Sequence, residues 1–238
     1  MRTVEKLFIL VRMLSDAIGR STGRLVPGLY PEGLLGFSTR MLNIRGENTE
    51  YRIVPAGAVS IRGTLLVARV LSEVFGTVPV VEKRIDVWPD MFSEGQKIDA
   101  DRVLKRLVEQ SDGRPVIMLV EEPLWSSEQK VNVYGYGNME IPVCVVSLSG
   151  FFTDGKESWS SFIKVVVHEV GHTFGLRHHG KENIEIPCVM NMTRAVDSRP
   201  AIELLQHEFC TSCLGQIVKG KPEEKENTSC VCLGTSST

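Results

Sequence analysis

Four of the five histidines of this 238-residue chain fall between His168 and His179, and five of its six cysteines lie beyond residue 187. Imidazole and thiolate donors gathered so closely point to a metal, above all zinc. The stretch from Trp159 reads WSSFIKVVVHEVGHTFGLRHH. His168 and His172 are four residues apart, a spacing that puts both on one face of a helix. At about 100° per residue, Ile163, Val166, Val167, Val170 and Phe174 form an apolar stripe, with the two histidines roughly 140° and 180° from Ile163. One side of this helix is expected to dock on a sheet while the other presents two imidazoles, with Glu169 on the flank. This is the H-E-x-x-H arrangement, in which the histidines bind zinc and the glutamate acts on zinc-bound water.

The pattern continues with Gly175 three residues after His172 and His178 three after that. A third ligand on the same straight helix would point away from the metal, so the chain must break first. Glycine supplies the left-handed conformation that ends a helix and redirects the backbone. His178 then returns to complete a three-histidine set with an open fourth position, the mark of a catalytic rather than a closed structural zinc. The metal lowers the pKa of its water from about 15.7 towards roughly 7 and polarises the scissile carbonyl. Glu169 takes the proton and passes it to the leaving amine, as base and then acid.

The elements that must position this helix follow a regular alternation. Tyr51–Ala56 reads as a strand, Ser60–Phe75 as a helix stopped by Gly76, and Val78–Val87 as a strand. Asp99–Gln110 reads as a helix and Pro115–Val120 as a buried strand. That order is a βαβ sheet with right-handed crossovers. Val131–Tyr136 and Val143–Leu148 follow as an antiparallel hairpin at one edge of the sheet, where an extended peptide can add to the Val131–Tyr136 strand. Residues 1–50 form an N-terminal extension, an amphipathic helix through Leu7, Leu10, Val11 and Leu14 followed by a Gly- and Pro-rich linker. Residues 51–215 make the main domain and 216–238 a polar, mobile tail. The fold class is therefore α/β (α+β), a mixed twisted sheet with the histidine helix and a small C-terminal subdomain.

Composition narrows the function. Twenty-seven basic against 29 acidic residues give a net charge of −2 and a pI near 6.2. Such a balance argues against nucleic acid as a partner, which calls for a strong basic excess. Apolar residues at 42% and charged residues at 24% suit an ordinary globular protein rather than a disordered one. The apolar run Leu7–Val11 is shorter than the roughly 7–15 residues of a signal peptide and far short of the about 20 of a membrane span. The expected location is the reducing cytoplasm, where clustered thiols hold metal more often than they pair.

With the signature in place, the chain resembles the archaemetzincins, a family of metzincin metallopeptidases. The resemblance rests on His168–His178, on Cys188-Val189-Met190 and on Cys210-Thr211-Ser212-Cys213, and spans roughly residues 51–213. It implies a zincin fold, a catalytic zinc held by His168, His172 and His178, and a Met-turn at Met190 forming a packing floor. Taken alone, Met190 would read as a core methionine. It also implies a second, structural zinc held by Cys188, Cys210 and Cys213, giving two zinc ions per chain. The family has Cys at the position of His179, and four residues rather than eight before the next cysteine. The fourth ligand is accordingly His179, with His207, Cys230 and Cys232 as competitors. Residues 1–50 and the tail lie outside the resemblance.

The expected function is a zinc metallopeptidase that hydrolyses peptide or protein substrates, with short peptides or N-termini favoured by the small size. The alternative is a non-catalytic zinc-binding interaction protein on the same scaffold; an intact Glu169 favours the enzyme. A thiol redox role for Cys210-x-x-Cys213 is disfavoured because that pair follows a zinc helix rather than a βαβ unit.

Overall fold

The computed structural model describes residues 49–93, 96–153, 156–179, 188–191, 208–219 and 230–233, all within one compact unit, Thr39–Thr238. The expected N-terminal helix and His207 lie outside the described residues. In chain order the first elements are β1 (Glu50–Pro55), α1 (Ile61–Phe75), β2 (Val78–Val81), β3 (Ile98–Asp99), α2 (Ala100–Gln110) and β4 (Val116–Val120). They are followed by β5 (Leu124–Ser126), β6 (Val131–Gly137), β7 (Val143–Ser147) and a small hairpin of β8 (Phe152–Thr153) and β9 (Lys156–Glu157). Then come α3 (Trp159–Thr173), α4 (Thr211–Lys219) and β10 (Cys230–Leu233).

Local chemistry sets the helix ends. The Ser60 hydroxyl accepts the Gly63 amide at 3.1 Å, and Gly76 closes α1 at φ 63°. The Asp99 carboxylate accepts the amides of Asp101 and Arg102 at the start of α2. Caps of this kind contribute about 1 kcal/mol each.

The sheet runs β2-β1-β4-β7-β6-β5-β3. Its β2-β1-β4-β7 half is parallel, and β7-β6-β5 is antiparallel. The mixed α/β architecture matches the expectation. All five residues of β4 and of β7 are buried, because helices cover both faces. Val116, Met118, Val120, Val143 and Val145 pack with Val103, Leu104 and Leu107 of α2. Their alternate neighbours face the other layer, where Tyr51 donates or accepts a 3.0 Å hydrogen bond with Thr173 of α3. Phe75 of α1 stacks on Phe174 at the end of α3, with centroids 5.3 Å apart. Among the described residues no helix is long and apolar enough to cross a membrane.

Three expectations need correction. The strand expected over Val78–Val87 ends at Val81; Glu82, Lys83 and Arg84 interrupt the apolar pattern, and Ile85 keeps only an isolated bridge to Ala56. The β6–β7 pair is antiparallel as expected, yet the outer side of β6 is lined by β10, and the sheet is extended by the short strands β5 and β3. Those strands are three and two residues long, too short to leave an alternation in the sequence. The tail expected to be polar and mobile contributes β10, which pairs with β6.

Candidate metal centres

The helix α3 is buried from Phe162 to Thr173. One face docks and the other presents the two imidazoles, and both faces are covered. His168 and His172 are buried with the rest. The helix ends one residue later, at Thr173. Gly175 sits at φ 83°, its amide donates to the His172 carbonyl at 2.7 Å, and the Leu176 amide reaches back to Gly171 at 3.2 Å. This pair of bonds is the Schellman closure that a left-handed glycine permits. It turns the chain so that His178 returns towards α3.

The three imidazoles meet through their Nε2 atoms. His168 Nε2 lies 2.8 Å from His178 Nε2 and 3.1 Å from His172 Nε2. Each pair of ring centroids is 4.8 Å apart. The other ring nitrogens are oriented by the backbone: His168 Nδ1 lies 2.6 Å from the Val189 carbonyl and His172 Nδ1 2.7 Å from the Leu176 carbonyl. A proton on each Nδ1 leaves the Nε2 lone pairs facing one another. Burial, then a neighbouring histidine, pushes all three rings down to about 3, so they are neutral at pH 7. Three neutral lone pairs at this separation suit one tetrahedral zinc, whose nitrogen ligands at about 2.0–2.1 Å sit roughly 3.3 Å from each other. The donor set fits the metal.

Glu169 is fully buried and faces β6. A Cβ on Gly135 would stand 2.4 Å from Glu169 Cγ, and a Cβ on Gly137 would stand 3.1 Å from Glu169 Oε2 and 2.9 Å from His172 Cβ. The strand approaches the glutamate and the histidine through two glycines because nothing larger fits.

A second cluster brings together His179, Cys188, Cys210 and Cys213, with their donor atoms all within 4.8 Å of one another. His179 Nε2 lies 3.4 Å from Cys210 Sγ and 3.3 Å from Cys213 Sγ, while the sulfurs of Cys188 and Cys213 are 3.7 Å apart. The amides of Met190 and Cys210 donate to Cys188 Sγ. The Cys213 thiol and these amides hold Cys188 down to about 5, whereas sharing that proton raises Cys213. The four donors fit a Cys₃His zinc site. The structure therefore brings His179 together with the three cysteines. The strand carrying Cys230 and Cys232 pairs with β6 instead.

The turn between the two clusters touches both. Cys188 belongs to the second, the Val189 carbonyl orients His168 in the first, and the Met190 carbonyl accepts the His179 amide at 3.2 Å. Met190 is buried, with its sulfur 2.7 Å from where a Gly171 Cβ would stand, so it packs beneath α3 as the expected floor does. Sequence reasoning missed Gly135 and Gly137. Two glycines inside a strand pattern are a signal of close backbone approach. It also missed the carbonyls of Leu176 and Val189, which no side chain announces.

The comparisons with known proteins agree. Residues 119–219 match the model of Peptidase family M54. No curated protein sequence matches the chain. Among solved structures, the archaemetzincin of Archaeoglobus fulgidus aligns with 18% identity and TM-score 0.58, over 70% of this chain and 99% of its own. The archaemetzincin of Methanopyrus kandleri aligns with 22% identity and TM-score 0.57, over 74% and 96%. A zinc-dependent peptidase of Methanocorpusculum labreanum aligns with 18% identity and TM-score 0.57, over 70% and 99%. These three likenesses establish the fold, and the family match spans the residues of both the histidine and the cysteine cluster. The chain thus has the fold of the archaemetzincin structures, and its residues 119–219 are similar to Peptidase family M54.

Proposed function

We propose that the chain hydrolyses peptide bonds by general acid–base catalysis from Glu169 beside a zinc held by His168, His172 and His178. The observation that carries this reading is the convergence of three Nε2 atoms within hydrogen-bond distance, on the same buried helix as Glu169. When bound there, zinc supplies Lewis acidity, acidifying water and polarising the scissile carbonyl. Glu169 accepts a proton from the attacking water and delivers it to the nitrogen of the departing amine. Gly135 and Gly137 fix where that carboxylate stands. The backbone carbonyls of Val189 and Leu176 keep His168 and His172 in one tautomer and orientation.

His179, Cys188, Cys210 and Cys213 hold a second zinc with a structural role, for a total of two per chain. Short peptides or exposed N-termini are the favoured substrates. The cysteine cluster, with Cys188 and Cys213 unbonded at 3.7 Å, supports a reducing compartment such as the cytoplasm. The domain is taken to span residues 51–215, between an N-terminal extension and the tail.

The test is a digest of a synthetic peptide library by the zinc-loaded chain, with and without a chelator, read by mass spectrometry. Products that need the metal support the enzyme. A chain that binds zinc yet yields none is the non-catalytic interaction protein.

A further inference from the structure

The strand β6 borders the metal centre with bare backbone at Gly135 and Gly137. One edge of that segment pairs with β7, through Gly135, Tyr136 and Gly137. β5 pairs with Val131 to Val133 on that same side, because Val133 is paired with both β5 and β10 and a strand residue takes one partner on each side. The opposite edge, from Val133 to Gly137, is where an extended peptide would have to pair in order to lie along the centre. That stretch is filled by the chain itself. Strand β10 runs antiparallel to it, with Cys230 opposite Gly137, Val231 opposite Tyr136 and Leu233 opposite Val133, and with a break in register between Val231 and Leu233.

We infer that β10 is a built-in competitor for substrate: it occupies the β6 edge beside the metal centre and must leave before an extended peptide can pair there. The inference rests on the peptidase reading of the site. The sequence suits the role. Cys230-Val231-Cys232-Leu233 is a short apolar run between KGKPEEKENTS and GTSST, a strand-forming segment flanked by polar chain. Ten residues separate Lys219 from Cys230, enough to span about 33–36 Å when extended, so reach does not force the strand onto this edge. A four-residue pairing with a register break is short enough to open reversibly, while the tether keeps it at a local concentration on the order of millimolar. An open form populated at about a tenth would raise the apparent KM about tenfold.

The experiment uses the zinc-loaded full chain and its Val231→Pro variant, in which proline removes one amide from the ladder. Thr235→Pro, beyond the strand, serves as control. A fluorescein-labelled peptide of residues 226–238 is titrated into each, and amide exchange is followed at Tyr136 and Gly137. The expected result is that Val231→Pro binds the labelled tail about tenfold more tightly than wild type or the control. Tyr136 and Gly137 exchange faster in that variant alone, and KM for library peptides falls about tenfold with kcat little changed. Equal tail binding and equal exchange in all three proteins would overturn the proposal, as would faster exchange with an unchanged KM. If tail binding and exchange behave as expected but no protein cleaves peptides, occupation of the edge stands and the peptidase reading fails.

Discussion

Gly135 lies so close to Glu169 that a single added carbon would stand 2.4 Å from Cγ and 2.9 Å from the carboxyl carbon of the glutamate. Both partners are held: the strand by β7 on one side, the glutamate by its place on a fully buried helix. One must shift if a methyl is added. Gly135→Ala is expected to keep its zinc, because no ligand is touched, while peptide cleavage falls about 10²-fold or more through displacement of the acid–base group. Overpacking of this kind also destabilises by about 1–3 kcal/mol. Metal analysis and turnover of the same preparation decide it; a fully active variant would show that Glu169 does not depend on this contact.

His172→Ala removes one of the three converging Nε2 donors. About one zinc fewer per chain is expected, with the cysteine-cluster metal retained. Unchanged zinc content would show that these imidazoles are a packed histidine cluster and nothing more.

Sequence reasoning reached the histidine centre because its logic is local. The i,i+4 spacing, the glycine break and His178 lie within eleven consecutive residues, and helix geometry alone predicts their convergence. The strands β1, β4 and β7 were legible as strands for the same reason, since apolar runs mark buried strands; their order in the sheet was not. What escaped was short or non-local. The strands β3 and β5 are recruited by pairing rather than by their own pattern. The apolar run Cys230–Leu233 became a strand only because β6 offered a free edge. That the side presenting the two imidazoles is covered by β6 and the turn through Val189 was not legible, because neither is near α3 in sequence.

The second centre connects to the first through two backbone groups. Cys188 is a donor there, and the adjacent Val189 carbonyl lies 2.6 Å from His168 Nδ1. His179→Ala should therefore lose about one zinc from the cysteine cluster and also weaken zinc binding at the histidines by about 10–100-fold, the usual effect of releasing a ligand's orienting partner. Competition with a chromophoric chelator measures both. Histidine-site affinity equal to wild type would show that the turn is held without the second metal.

Acid should act on the metal-free chain through the three histidines. Each is pushed down to about 3 in the folded state against about 6.5 unfolded, so between those values the unfolded chain binds more protons. Their contribution to stability is present above about pH 6.5 and is lost as pH falls towards 3. Thermal melts of chelator-treated protein should give a Tm that drops over this window, and drops less for His172→Ala, which has one such group fewer. Identical slopes for the two proteins would contradict the burial argument.

The measurement that tests the account most directly is cleavage of a peptide library by Glu169→Gln, with zinc content determined on the same sample. Glu169 is assigned proton transfer and no part in holding metal. The variant is therefore predicted to carry the wild-type amount of zinc while cleavage falls about 10²–10⁴-fold. Wild-type cleavage by zinc-loaded Glu169→Gln would contradict the mechanism, and loss of zinc from that variant would contradict the division of labour between the glutamate and the histidines.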